Sequence, residues 1–272
     1  MSLHGQALPE VAESDGHELL RFLAGSPHRT AVLERLARSP ATPAETVTAV
    51  DCSRTSVHRH LTALTEHGWV EKANGRYRLT DTGTRVQRVL ADCTTRLASL
   101  DRFGPLLRRL DGTAPPDAAT LADATLTVAD DEHPYAPVDR YVDRLTALAD
   151  RAPTALKAVL VTRCSVLHRA LEGVFDAGAT VDLVVAEPVV DDALAARASE
   201  TPALSLTTVP TRPDAALVVS DEWALLGAHD GQGRLVATAD GEADRFVSWC
   251  HRQYQTLGRS ADATGVTAAG DD

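Results

Sequence analysis

The stretch Ser53–Gly83, SRTSVHRHLTALTEHGWVEKANGRYRLTDTG, decides how the first third of this 272-residue chain folds. Ser53 stands where it caps a helix, and Val57, Leu61 and Leu64 follow at i, i+4 and i+7, one core-facing stripe. The opposite face presents Arg54, Thr55, His58, Arg59 and Thr62, all hydrogen-bond donors and none acidic. Gly68 supplies a left-handed stop. Asn74-Gly75 then reads as a two-residue hairpin loop, because both of its residues tolerate positive φ. That loop sets a register of Val70 against Leu79 and Glu71 against Arg78, apolar on one face and oppositely charged on the other.

Upstream, Ser26-Pro27 opens a helix with Val32, Leu33 and Leu36 inward, and Ser39-Pro40 stops it. Thr42-Pro43-Ala44-Glu45 is a capping box for a short helix carrying Val47 and Val50. A tight turn at Asp51-Cys52 leads into the longer helix. Three helices followed by a cationic hairpin make a winged helix-turn-helix over residues 17–84.

This stretch resembles the recognition helix and wing of archaeal winged-helix transcription regulators, akin to the ArsR-type and TrmB-type repressors. The resemblance implies a helix in the major groove of double-stranded DNA and a wing on the neighbouring backbone. By position, Arg54, Thr55, His58 and Arg59 approach base edges, while Ser53, Ser56, Thr62, Lys72, Asn74 and Arg76 hold phosphates. Trp69 is expected in the core beside the wing. His58 and His60, two apart on a helix, point apart and make no metal pair.

A net charge of −11 seems to exclude a nucleic-acid partner, but the charge is uneven. His17–Leu110 holds 15 Lys+Arg against 9 Asp+Glu, a balance of +6, whereas Asp111–Asp272 holds 12 against 26, or −14. Only Lys72 and Lys157 are lysines, and 25 of the 38 acids are Asp. Such Asp-rich, Lys-poor composition resembles that of salt-in halophilic archaea, where negative charge maintains solubility. Four scattered cysteines without a Cys-x-x-Cys argue for a reducing cytoplasm and against a zinc ribbon. The start of the chain has no signal-peptide pattern, and no run of about 18 apolar residues suggests a membrane span.

From Arg85 to Leu110 the text reads as one helix, a connector over 85–112. Val86, Leu90, Cys93, Leu97 and Leu100 alternate by four and three, a heptad seam that predicts a homodimer contact. Packing within its own domain is the other reading.

Beyond Pro115-Pro116, strand-like and helix-like runs alternate over 120–258, an α/β layer architecture. Expected strands lie at 124–129, 156–162, 180–186, 203–208, 215–220, 223–228 and 235–239. Expected helices lie at 137–150, 165–176, 191–199 and 242–257. The phrases LADATLTVADDEHPYAP and LVVSDEWALLGAHDGQG resemble the carboxyl-terminal domain of regulators typified by the methanogenesis regulatory protein, a phospholipase-D-like sensor half. The ends, 1–16 and 259–272, read as polar tails.

Phospholipase-D-type catalysis needs paired His-x-Lys motifs, and this sequence has no His-x-Lys. Gly-x-Ser-x-Gly, a P-loop and Gly-x-Gly-x-x-Gly are absent too, so neither catalysis nor a nucleotide cofactor is expected. The second module reads as a receptor for a small-molecule effector, bound beyond the carboxyl ends of the strands. Thr162, Arg163 and Ser165 lie where a strand meets a helix start and fit a phosphate or carboxylate. Glu187, His133, Tyr135 and His229 are expected around the same rim. Plain structural roles compete: Ser165 as an N-cap, Arg163 in an ion pair, His133 in a loop. The whole reads as a homodimeric DNA-binding transcription regulator. A hydrolase using His133 and His229, and a winged-helix adaptor for proteins, are the alternatives.

Overall fold

The computed structural model describes residues 16–110, 115–151, 155–190 and 192–264, with side chains described as far as Leu257. The expected tails fall outside these residues, apart from Gly16, which opens α1, and 259–264, which continue the last helix. The chain divides into two compact units, Met1–Thr94 and Thr95–Asp272.

In the first unit, α1 (Gly16–Ala24) precedes α2 (Pro27–Arg38), α3 (Pro43–Val50), α4 (Arg54–Glu66), β1 (Val70–Ala73) and β2 (Arg76–Leu79). Thr42 accepts from the Glu45 backbone N–H, and Glu45 accepts from that of Thr42, a closed capping box. Ser53 Oγ accepts from the Ser56 N–H at 3.2 Å and caps α4. Ser26 behaves differently: no side-chain bond caps α2, and its Oγ lies 3.5 Å from His60 Nε2. The hairpin pairs Val70 with Leu79 and Glu71 with Arg78, the latter pair bridged at 2.7 Å. Asn74 and Gly75 take φ of 51° and 78°, both left-handed. Ala41 bridges Tyr77 and adds a third strand segment to the wing.

Val32, Leu33, Leu36, Val57, Leu61 and Leu64 form the core of this unit with Trp69. Each such side chain contributes about 1.5–3 kcal/mol on burial. The rings of His67 and Trp69 stack at 4.8 Å, and Phe22 of α1 meets both. Helix α5 (Asp81–Arg102) starts directly after the wing, four residues before the expected connector. Thr80 makes this possible: its hydroxyl donates to the Gly68 carbonyl and accepts from the Gly83 N–H. A Cβ on Gly83 would lie 1.8 Å from the Trp69 carbonyl oxygen, so only glycine fits here.

The expected continuous helix to Leu110 is a correction. Helix α5 ends at Arg102, Phe103 interrupts it, and a one-turn α6 (Gly104–Leu107) follows. The physical reason is Gly104-Pro105: proline has no N–H to continue the ladder. Phe103, Leu106 and Leu110 are buried in the core of the second unit.

That unit contains β3 (Thr125–Val128), α7 (Ala136–Ala149), β4 (Ala155–Leu160), α8 (Ser165–Asp176), β5 (Thr180–Ala186) and α9 (Asp192–Glu200). It continues with β6 (Leu204–Val209), β7 (Ala215–Val219), β8 (Ala224–His229), β9 (Leu235–Gly241) and α10 (Asp244–Thr264). The seven strands run in the order β3-β9-β8-β7-β4-β5-β6. β4, β5 and β6 are parallel, and the remaining neighbours are antiparallel. Lys157 lies 5.9 Å from the ring of Tyr254 on α10, while Leu160, three residues on, faces a groove walled by α8. Side chains three apart on a strand point to opposite faces, so α8 and α10 cover the two sides of the sheet. Helices on both faces explain the near-continuous apolar strands, such as the fully buried β7 and β8. Helix α10 runs seven residues past the expected end at Leu257.

Candidate nucleic-acid interface and receptor cleft

Along α4 the structure separates two faces. Val57, His60, Leu61 and Leu64 are buried, whereas Arg54, Thr55, His58, Arg59 and Thr62 are exposed. The separation follows from the 3.6-residue period acting on a sequence whose apolar residues recur every three or four positions. Burial, and then the charges of Arg29 and Arg59, push the His60 pKa down, so this histidine stays neutral in the core. Ser53 and Ser56 occupy the N-terminal end of α4, where their hydroxyls bond each other at 2.9 Å.

On the wing, Lys72 and Asn74 are exposed, and the Lys72 ammonium lies 5.6 Å from the Tyr77 ring. Arg76 is engaged otherwise. Its guanidinium donates to the Pro40 carbonyl at 3.0 and 3.2 Å and to Glu45 Oε2 at 2.6 Å. Glu45 answers with a lowered pKa, caused first by the Thr42 backbone bond and then by Arg76. Arg76 thus ties the hairpin to the start of α3. Sequence spacing placed it among phosphate ligands because a partner 31 positions upstream leaves no local trace.

The seam residues of α5 divide as well. Val86 and Leu90 are half-buried against the core of the first unit. Cys93, Leu97 and Leu100 are exposed, and so is Val89 on the same stripe. At 100° per residue these six side chains span about a quarter of the helix surface.

In the second unit a cleft of about 820 Å³ opens beyond the carboxyl ends of β3 and β4. It brings together three of the residues singled out for an effector, Tyr135, Thr162 and Arg163. Arg163 donates to the carbonyls of Val189 and Val190 at 3.2 and 2.9 Å, so it braces the segment after β5. Ser165 faces a separate groove between α8 and α9. His133 is exposed beside Asp130 at 3.6 Å, and Glu187 opens a short 3₁₀ turn; neither lines the cleft. His229 is buried at the end of β8. Burial and Arg212 push its pKa down to about 4, against an opposing effect of Asp230. It is therefore neutral near pH 7. Arg108, Arg109 and Arg234 also line the cleft and escaped the sequence reading, although Arg108-Arg109, with two residues between it and Gly104-Pro105, was a visible signal.

At the opposite ends of the strands, Asp240 of β9 is buried. It receives Arg140 and Arg144 of α7 at 2.8 and 2.9 Å and Trp223 Nε1 at 3.4 Å. This cluster was not anticipated, since its members are far apart in sequence.

Residues 17–102 match the family model described as the HVO_A0261 N-terminal domain. Residues 134–259 match that described as the middle domain of the methanogenesis regulatory protein FilR1. No curated protein matches the sequence. Among solved structures the chain is similar to TrmBL2, an archaeal chromatin protein described as showing a novel mode of DNA binding. Identity there is 14%, with 90% of this chain and 97% of that chain covered and a TM-score of 0.38. It is also similar to NucT from Helicobacter pylori, at 13% identity, 50% and 96% coverage and a TM-score of 0.40. Nuc from Salmonella typhimurium, a phospholipase D family member, gives 14%, 51% and 96%, and 0.37. Among the described residues no helix is long and apolar enough to cross a membrane.

Proposed function

The chain joins an HVO_A0261-type N-terminal domain to a FilR1-type middle domain, and from that pairing we propose that it is a sequence-specific DNA-binding transcription regulator. The observation that carries the reading is the exposed face of α4. Arg54, Thr55, His58, Arg59 and Thr62 offer donors for base edges and phosphates, with no carboxylate among them. Ser53, Ser56, Lys72 and Asn74 extend the face to phosphates, while Arg76 holds the wing in place. Balance within His17–Leu110 is +6, so the acidity of the whole chain does not oppose a duplex at this surface.

Two copies associate through the stripe of α5, giving two helices for two half-sites. The second unit acts as a receptor for a small-molecule effector, and a ligand that favours one DNA-bound geometry shifts affinity by its differential binding. Chemistry supports a receptor over an enzyme: the sequence lacks His-x-Lys, and His229 is buried. A DNA partner implies a cytoplasmic location.

The test is selection of an operator from a random duplex library with the full chain, followed by affinity measurements on Arg54→Ala and Arg59→Ala. Each substitution should weaken binding by about 1–3 kcal/mol and reduce the salt slope or relax one base position, with unfolding unchanged. Equal affinity in both variants would remove α4 as the reading helix.

A further inference from the structure

We propose that the cleft beyond β3 and β4 binds the phosphate monoester of a small organic molecule, held by Arg108 and Arg109. The inference rests on the reading of the second unit as an effector receptor and names the class of ligand. Four arginines against two aspartates, Asp130 and Asp131, line this cleft within an otherwise acidic module. Two are occupied: Arg234 pairs with Asp230 at 2.8 Å, and Arg163 donates to Val189 and Val190. Arg108 and Arg109 are exposed and have no ion pair or side-chain hydrogen bond among the described residues. Gly104 leaves room for the first of them, since a Cβ there would lie 2.9 Å from the Arg108 guanidinium.

A third element faces the same space. The N-cap Cys164 and, from the first turn of α8, Val166 and Leu167 contribute to the wall, and no side chain caps that helix. Its leading N–H groups thus have no side-chain acceptor, and the positive end of the helix lies at the cleft wall. Two spare guanidiniums and a helix start exceed what one carboxylate can use. A phosphate group, with about −1.5 to −2 charges and three acceptor oxygens, matches them.

The rest of the cleft is not built for a bare ion. Val128, Val138, Leu167 and Leu235 make part of its lining apolar, and Tyr135 stands at the rim with 70% of its surface exposed. A volume of about 820 Å³ leaves space for an organic body beside the phosphate, with the tyrosine ring as a cover. Position gives the site a regulatory meaning. Arg108 and Arg109 lie six and seven residues after the end of α5, on a segment anchored by buried Phe103, Leu106 and Leu110. Ligand binding therefore acts on the stretch of chain that directly follows α5.

Calorimetric titration of the full chain with inorganic phosphate and with phenyl phosphate, at ionic strength fixed with potassium chloride, tests the site. Both should saturate, phenyl phosphate at least tenfold more tightly. The Arg108→Gln/Arg109→Gln double variant should weaken both at least tenfold while keeping the wild-type unfolding midpoint, because both side chains are exposed. Tyr135→Ala should remove only the advantage of the phenyl group. Absence of saturable binding at matched ionic strength, or equal affinity in the double variant, overturns the proposal. Operator binding measured on the same samples keeps the two readings apart. Phosphate binding without any operator binding supports the site and overturns the regulator, and the reverse result overturns the site alone.

Discussion

Arg140 grips Asp240 with both prongs of its guanidinium: Nε meets Oδ1 and Nη2 meets Oδ2, each at 2.8 Å. The carboxylate is fully buried, and Arg144, one turn further along α7, approaches Oδ2 at 2.9 Å. The pair locks α7 onto β9 and raises the pKa of Arg140, first through the hydrogen bonds to Asp240. Asp240→Asn removes the counter-charge of Arg140 and leaves Arg144 with only its 3.4 Å contact to Glu242. It should cost about 2–4 kcal/mol in urea unfolding, less than a fully buried pair because both arginines keep contact with water. A loss below about 0.5 kcal/mol would show that the pair is not a clamp.

His229 makes the second unit sensitive to acid. Its folded-state pKa, pushed down to about 4, lies below the unfolded value near 6.5. As pH falls, the unfolded chain takes up the proton first. Stability is therefore full above about pH 6.5 and is lost progressively toward pH 4, by about 3 kcal/mol from this group. Comparing urea unfolding of the wild type and His229→Leu at pH 7 and pH 4.5 isolates it from the carboxylates. The variant should lose less stability than the wild type between those two values; parallel losses would exclude the mechanism.

Glu45 restrains a cation that the wing could otherwise present. With the carboxylate replaced by an amide, the 2.6 Å ion pair to Arg76 becomes a weaker neutral hydrogen bond, and a negative charge leaves the start of α3 beside the wing. Glu45→Gln should therefore strengthen DNA binding and steepen its salt dependence by about one phosphate contact. Weaker binding of this variant, read by fluorescence anisotropy at several salt concentrations, would show instead that the brace itself is needed.

Leu97 stands 61% exposed between Cys93 and Leu100 on α5, with Val89 69% exposed on the same stripe. If two copies meet there, Leu97→Glu buries a charge at the contact and should shift the protein from dimer to monomer in sedimentation equilibrium. Thermal unfolding of the first unit should not change, because Leu97 does not contribute to its core. A dimer that survives the substitution places the contact elsewhere.

Much of the architecture was legible because it is written in short-range chemistry. Asn74-Gly75 forces the hairpin register, Thr42 and Glu45 close their box, and α8 spans Ser165–Asp176 as its periodicity and Gly178 imply. These features depend on residues within a few positions of each other. The candidate surfaces were legible to a lesser degree. The exposed face of α4 follows from helical period alone, but the cleft beyond β3 and β4 gathers residues from segments more than a hundred positions apart.

By itself, then, the sequence determined the hairpin, its caps and most of the helices and strands, and which face of α4 meets solvent, although not α1, the early start of α5 or its break at Phe103. Apolar spacing, caps and turn residues act locally, whatever the rest of the chain does. Glu71 and Arg78 follow from the hairpin register, but only the tertiary structure decided the partners of the other arginines: Arg76 turned to Glu45, Arg163 to two carbonyls, Arg140 to a buried Asp240, and Arg108 and Arg109 left facing an open cleft. A guanidinium is long and flexible, and its role is set by whichever acceptor folding brings within about 3 Å. Linear spacing does not encode that distance.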